Sequence, residues 1–147
     1  AEGDVLFGNH RDATLLLDRD FSGDGADRRR DAAPALLDAF PALEHVASTA
    51  RHIVEPTKHQ IVARIDRRDD HAQTELAEIS PITDRIGTGD AFAAGVIDGL
   101  LTTDTLAAAV QRGLALAALK HGLQGDFAPF ARHMVEGVSL TAGDVAR

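Results

Sequence analysis

The chain contains no cysteine, and this absence excludes two common kinds of site. Without cysteine it can form neither a disulfide framework nor a thiolate metal centre. A reducing compartment is therefore permitted, and we expect a cytoplasmic protein. The seven histidines include no pair with the four-residue spacing of a helical zinc site, so scattered surface histidines are the expected interpretation.

Positive charge is also scarce, since 15 Lys and Arg stand against 23 Asp and Glu, a formal net charge of −8. This balance argues against non-specific binding of nucleic acid, which depends on Lys and Arg contacts to phosphates. A local phosphate site remains possible, because backbone N–H groups bind anions without a cationic side chain. No apolar run approaches the roughly 18 residues of a membrane-spanning helix, so we expect no membrane partner.

What is present fits one globular domain: 147 residues, of which 44% are hydrophobic. The chain starts at Ala1, its only methionine is Met134, and strand-like residues occur by position 5. We therefore expect a piece of a longer protein.

The apolar periodicity predicts an α/β chain. Strands are expected at 5–7, 45–49, 61–66 and 73–79, the last two as an antiparallel hairpin. Helices are expected at 12–18, around residues 36–40 up to Pro41, and at 91–101, 105–121 and 129–135. Residues 18–31 are interpreted as a surface loop leading into a helix, with the basic run 28–30 on a solvated face. This order of elements favours α/β or α+β layering.

The most informative segment runs from Asp84 to Phe92 and reads Asp-Arg-Ile-Gly-Thr-Gly-Asp-Ala-Phe. Glycines allow a tight turn and a close approach of an anion to the amides. The helix expected after it presents free N–H groups and the positive end of its dipole, so residues 87–90 predict an anion site. Asp90 would repel a bound phosphate unless a metal intervenes or the carboxylate takes part in the reaction as a general base. Alternatively, Asp90 is only a helix N-cap.

Two other phosphate motifs do not match. A P-loop needs two glycines five residues apart, followed by Lys and then Ser or Thr, and the chain has no such string. The dinucleotide fingerprint needs a third glycine at the position that Phe92 occupies.

The segment from Asp84 to Phe92 resembles the C-terminal signature of PfkB, or ribokinase-like, sugar kinases, and the similarity continues to Gly95. Arg85 and the segments 4–9, 118–121 and 125–127 are similar to 2-keto-3-deoxygluconate kinases in particular. The resemblance implies the C-terminal portion of a three-layer α/β/α domain. Residues 1–147 would then be its nucleotide-binding and catalytic part, without the N-terminal half and lid.

The same resemblance implies roles for the motif. Asp90 would be the catalytic base, and the amides of Gly87, Thr88, Gly89 and Asp90 would form the anion hole for the ATP phosphates. The family's Asn-x-x-Glu motif, which helps to organise magnesium and phosphates, is similar to Asn9 through Asp12, with Asp in place of Glu. Asp12 offers oxygen ligands suited to Mg²⁺ on a shorter side chain, or it is simply an acidic residue of a first helical turn.

Three further positions receive a role from the resemblance alone. Thr49 and Arg51 stand where relatives have a glycine-containing nucleotide segment, and Arg51 either reaches a phosphate or is an exposed charge. Asp126 aligns with a residue that contacts the acidic sugar in some 2-keto-3-deoxygluconate kinases, although Gly-Asp is also a turn signal. The adenine would rest near residues 115–118, unless those alanines only pack the helix.

The implied activity is transfer of the ATP γ-phosphate, with Mg²⁺, to a small sugar or sugar acid. The favoured acceptor is the C6 hydroxyl of 2-keto-3-deoxygluconate. Two alternatives remain: a kinase of this family for another sugar or a nucleoside, and a non-catalytic fragment that retains only a nucleotide surface. A homo-oligomer would form through the absent lid.

Overall fold

The structure is a computed structural model that describes residues 3–21, 25–103 and 105–140. None of the helices within those residues is both long and apolar enough to cross a membrane. The elements of the described residues follow one another as β1 (Val5–Phe7), α1 (His10–Leu17), α2 (Gly25–Ala39), β2 (His45–Glu55), β3 (Lys58–Asp66), β4 (His71–Gln73), β5 (Ala77–Ile79), α3 (Thr88–Thr102), α4 (Leu106–His121) and α5 (Arg132–Glu136).

The strands form one sheet in the order β1-β2-β3-β4, with β5 also paired to β3. β1 and β2 are parallel, whereas β3 is antiparallel to β2, β4 and β5. Phe7 at the end of β1 lies opposite Ala47, and β2 continues from there to Glu55. The β2–β3 hairpin therefore extends beyond the carboxyl end of β1 and forms a wall beside it.

The two faces of the sheet carry separate apolar clusters, because successive strand residues point to opposite sides. Val46 belongs to a cluster with residues of α1 and α2, whereas Ala47 belongs to a cluster with residues of α3 and α4. Helices thus cover both faces, which confirms the three-layer α/β/α arrangement expected from the sequence.

Close packing fixes the position of α3. A Cβ at Gly99 would lie 2.4 Å from the Cα of Ala109, so α3 and α4 are in contact through their backbones. At the other end of α3, the rings of Phe92 and Phe7 meet edge to face, with centroids 6.2 Å apart. The N-terminus of α3 is therefore held against the carboxyl end of β1.

The expected strand over residues 73–79 is wrong in its continuity, although its antiparallel pairing with β3 is confirmed. It is two strands, β4 and β5, separated by residues 74–76. The Thr74 hydroxyl accepts a hydrogen bond from the Ala63 N–H at 3.0 Å, and the Thr74 N–H donates to the Ala63 carbonyl at 2.9 Å. A side chain thus replaces one rung of the ladder and breaks the strand.

The expected loop over residues 18–31 is too long. Helix α2 already begins at Gly25 and includes the basic run. Arginine has a high helix propensity, and this preference prevails over the loop-like composition of the preceding segment. The expected end of this helix before Pro41 is confirmed, since α2 ends at Ala39.

Candidate active site

A cleft opens where the N-terminus of α3 faces the carboxyl end of β1. It consists of two neighbouring cavities of about 480 Å³ and 350 Å³. Asn9, Thr49, Gly89 and Phe92 line both cavities. The structure thus brings together residues from α1, β2 and α3 that the sequence analysis selected separately. Ligand sites in α/β proteins commonly lie at the carboxyl ends of parallel strands.

Residues 87–90, called the cradle below, form the first turn of α3 and the residue before it. Gly87 is the N-cap, with φ of +74°. The N–H and the hydroxyl of Thr88 both donate to the Arg85 carbonyl, and the Ala91 N–H donates to the Gly87 carbonyl. Within the described residues, the N–H groups of Gly89 and Asp90 have no acceptor, as is typical of a helix start. These two donors and the helix dipole favour an anion.

Asp90 is the third residue of α3, is exposed, and lines the smaller cavity. The interpretation of Asp90 as the helix N-cap is wrong, because Gly87 occupies that position and no side chain caps the helix. A carboxylate at this point lies beside two free amide donors and opens onto a cavity. Such a group can accept a proton from a hydroxyl bound in the cleft.

Asp84 holds the loop that leads into the cradle. Its Oδ1 accepts hydrogen bonds from the N–H groups of Arg85 and Ile86, at 2.6 and 3.0 Å. Its Oδ2 accepts from the Gly125 N–H at 2.9 Å, which links the loop to the turn after α4. The hydrogen bonds from Ile86 and Gly125, more than the Lys120 charge, hold the pKa of Asp84 below its usual range. The first residue of the motif is thus a structural clamp.

Asp126 contacts the cradle through its backbone. A Cβ on Gly87 would lie 2.4 Å from the Asp126 carbonyl oxygen, so only glycine fits between the two loops. The Asp126 residue is exposed and does not line either cavity of the cleft. Its expected contact with a sugar therefore stays a prediction.

Asn9 and Asp12 form the N-terminal cap of α1. The Asn9 side chain accepts from the Arg11 N–H at 2.8 Å, and Asp12 Oδ2 accepts from the Asn9 N–H at 2.7 Å. Asp12 also lines the smaller cavity together with Asp90. Two carboxylates on one cavity fit a Mg²⁺ ion that arrives with phosphate ligands, since Mg²⁺ usually keeps several water and phosphate oxygens. No group of three or more possible ligands occurs among the described residues, so no all-protein metal cage is formed there.

Thr49 and Arg51 lie on the same face of β2 as Ala47, directed toward α3 and α4, and line the larger cavity. Burial and the charge of Arg85 lower the pKa of Arg51. Among the described residues neither guanidinium has an ion-pair partner. Two neighbouring cations without an acidic partner suit an anionic ligand.

Ala117 is the member of the expected adenine segment 115–118 that lines the larger cavity. Ala115 is buried and Ala118 packs against the apolar cluster of α3 and α4. The alternative of simple helix packing therefore holds for these two residues, whereas Ala117 faces both the core and the cleft.

The larger cavity also includes residues for which the sequence predicted no role, among them Arg11 and His121. The only sequence feature that pointed to Arg11 as a cavity residue was its position two residues after Asn9. The His121 Nδ1–H donates to the Ala117 carbonyl at 2.7 Å, and burial is the main reason that the pKa of His121 is lowered. In the sequence His121 stood out only as part of the segment 118–121, and nothing there indicated that it is buried.

Known proteins share the sequence pattern and the fold of this chain. Residues 3–130 match the pfkB family of carbohydrate kinases. The fold is similar to a PfkB family carbohydrate kinase from Listeria grayi (26% identity, TM-score 0.75, 90% of this chain and 40% of that chain). It is also similar to a proposed 2-keto-3-deoxygluconate kinase from Enterococcus faecalis (26% identity, TM-score 0.77, 90% of this chain and 39% of that chain). A third similar structure is 2-dehydro-3-deoxygluconokinase from Thermotoga maritima (25% identity, TM-score 0.81, 90% of this chain and 40% of that chain).

The search of curated proteins gave no match. The chain spans about 40% of the length of the solved structures just named. The family match, by contrast, covers most of the chain and includes the cradle, Asp90 and the whole of the sheet. The chain therefore belongs to the pfkB family of carbohydrate kinases.

Proposed function

We propose that this chain carries the phosphate-binding and catalytic part of a kinase that transfers the γ-phosphate of ATP to a hydroxyl of a sugar acid. The observation that supports this most strongly is the position of Asp90. Its carboxylate opens onto a cavity at the start of α3, beside the N–H groups of Gly89 and Asp90 that lack acceptors in the described chain.

In the proposed reaction Asp90 removes the proton from the acceptor hydroxyl as its oxygen attacks the γ-phosphorus. The new O–P bond forms while the bond from phosphorus to the β,γ-bridging oxygen breaks and ADP leaves with the electron pair. The amides of the cradle stabilise the charge that spreads over the phosphoryl oxygens. Asp12 is the side chain that would hold Mg²⁺, which when bound offsets the charge of the phosphates.

The nucleotide would occupy the larger cavity. Arg51, with Arg11 beside it in the same lining, supplies positive charge for the phosphates, and Thr49 supplies a hydroxyl. Ala117 offers a small apolar surface for the adenine. Because ATP is abundant in the cytoplasm, a cytoplasmic location follows from the same proposal.

The proposed acceptor is 2-keto-3-deoxygluconate at its C6 hydroxyl. Two of the similar solved structures, at 25 and 26% identity, are named as kinases of this compound, one of them as a proposed one, and this supports the choice of acceptor. Asp126 is the proposed contact to the acidic sugar. Another sugar or a nucleoside is the alternative acceptor, and acceptor profiling of a full-length kinase that carries this chain separates the two.

The chain alone is expected to bind ATP but to transfer phosphate weakly or not at all. Its coverage of about 40% of the related structures leaves room for a further part that would complete the sugar site. Robust ATP-dependent phosphorylation of the sugar acid by the 147-residue chain would contradict this expectation.

The test of the proposed chemistry is Asp90→Asn in a full-length kinase that carries this chain, with Asp38→Asn as the matched control. Both changes remove one exposed carboxylate charge, but Asp38 lies on α2, away from the cleft. Loss of a general base should lower turnover on the order of 10²-fold or more without loss of ATP binding. Equal turnover in the two variants would contradict a catalytic role for Asp90.

A further inference from the structure

Lys120, in the last turn of α4, has an exposure of 0% and is the largest fully buried side chain of the described residues. It is also one of only two lysines in the chain. An ammonium group is rarely buried without partners, because the loss of hydration must be offset by hydrogen bonds or opposite charge. A leucine or methionine would fill the same space without that cost.

The Lys120 ammonium has a carbonyl oxygen of the turn after α4 as its hydrogen-bond acceptor. Its Nζ donates to the Leu123 carbonyl at 2.7 Å, and the Leu123 N–H donates to the Lys120 carbonyl at 3.0 Å. Both the side chain and the backbone of Lys120 therefore form hydrogen bonds that close the turn after α4. The carbonyl end of a helix carries partial negative charge, which favours a cation at this place.

The same turn is attached to the loop before the cradle. The His121 carbonyl accepts hydrogen bonds from the N–H groups of Thr83 and Asp84, at 2.8 and 3.2 Å. The Asp84 backbone is thus hydrogen-bonded to His121, the residue after Lys120. The Lys120 charge also contributes to the lowered pKa of the Asp84 carboxyl. The Asp84 carboxylate in turn binds the N–H groups of the loop and of Gly125.

We propose that Lys120 is a positioning residue for the cradle: its buried ammonium holds the Asp84 loop and the turn after α4 together behind residues 87–90. Without the Lys120 ammonium, the turn after α4 loses the hydrogen bond that closes it, and Gly125, whose N–H binds the Asp84 carboxylate, is no longer held in place. The two loops then separate, and the N–H groups of Gly89 and Asp90 lose their fixed direction. The part of this inference that concerns ATP rests on the proposed function.

The test compares Lys120→Met with Lys58→Met, the same substitution at the other lysine. Lys58 is partly exposed and pairs with Glu78 on the β3–β5 ladder. Two quantities are measured in the 147-residue chain: the pKa of the Asp84 carboxyl by carbon NMR, and the affinity for ATP by calorimetry. We expect Lys120→Met alone to raise the Asp84 pKa, because the variant loses the Lys120 charge and loosens the hydrogen bond from the Gly125 N–H to the Asp84 carboxylate. It should also weaken ATP binding at least roughly tenfold, as displaced binding groups do.

A second variant separates the charge from packing. Lys120→Ala leaves a cavity that ethylammonium can enter, so added ethylammonium should restore the low Asp84 pKa and the ATP affinity. It should change neither property in Lys120→Met, in which the methionine fills the cavity. Restoration in Lys120→Ala supports the proposal even if Lys120→Met does not fold.

Three results would overturn the proposal: an unchanged Asp84 pKa in Lys120→Met, no response of Lys120→Ala to ethylammonium, or failure of both variants to fold. The last result would assign Lys120 to fold stability alone. If the unsubstituted chain does not bind ATP, the proposed nucleotide site fails, whereas the Asp84 pKa still decides the role of Lys120.

Discussion

At the scale of single residues, Gly87 and Gly89 lie two positions apart in the sequence, but the space around their Cα atoms differs. Gly87 has φ of +74° and no room for a Cβ beside Asp126, whereas a Cβ at Gly89 would meet nothing within 4 Å. Gly87 therefore serves the backbone turn. Gly89 leaves open the space above the amides, where a ligand can approach.

These two glycines should respond differently to substitution by alanine. Gly87→Ala should lower the free energy of unfolding by roughly 1–3 kcal/mol, because it combines a strained φ with a clash. Gly89→Ala should leave the stability unchanged or raise it by up to about 1 kcal/mol, since alanine favours a helix. Its methyl group should nevertheless weaken ATP binding by standing in the cradle. Urea unfolding and calorimetry measure the two effects, and equal stability losses would contradict the assignment.

The sequence predicted the cradle at this scale because the decisive features are local: two glycines, a helix start and an acidic residue within a few positions. It did not predict the clamp of Asp84 on Gly125, which joins residues separated by 41 positions. It included Lys120 only within the segment 118–121 and did not predict its burial, since its hydrogen-bond acceptor is the backbone carbonyl of Leu123. Any residue type can supply a carbonyl, so contacts to them leave no trace in the sequence.

At the scale of elements, the β2–β3 hairpin contains a strand, β2, that the periodicity of apolar residues predicts only in part. The expected strand at 45–49 is confirmed, but β2 continues to Glu55. Its outer part from Arg51 onward is exposed, so it lacks the alternation of apolar and polar residues that identifies a half-buried strand. Its strand structure depends on pairing with β3, a contact between distant residues.

The same hairpin carries a pH-dependent contribution to stability. His59 on β3 is buried, its Nδ1 has no hydrogen-bond partner within the described part of the chain, and its ring packs edge to face on His121. Burial, the largest cause, lowers the pKa of both histidines in the folded chain. The unfolded chain therefore takes up protons first on acidification. Stability is complete above the unfolded pKa of about 6.5 and is lost as the pH falls toward the folded values.

Urea unfolding between about pH 7 and pH 5 should show a loss of up to about 1.4 kcal/mol per pH unit for each such histidine. His59→Phe should reduce the slope, because it removes one titrating group and keeps a ring against His121. His52→Gln, a change at an exposed position of β2, is the matched control. A stability that does not change over this range would contradict the assignment of buried neutral histidines.

At the scale of the whole molecule, the net charge of −8 conceals a local excess of positive charge. Arg11 and Arg51 come from different elements and line the same cavity, and Arg85 is close enough to Arg51 to lower its pKa. From the composition we expected no binding of nucleic acid. The composition contains no information on where the three arginines lie in the fold. Only the fold, which brings α1, β2 and the loop before α3 to one end of the sheet, assembles the cationic side of the cleft.

In the proposed function the free amides at the start of α3 receive the phosphates of ATP. Titration of the isotope-labelled chain with ATP, followed by amide NMR, tests this role. We expect the N–H signals of Gly89 and Asp90 to shift together and saturate, while those of the exposed Asp38 on α2 stay in place. Saturation at other amides with Gly89 and Asp90 unmoved, or no binding at all, would contradict it.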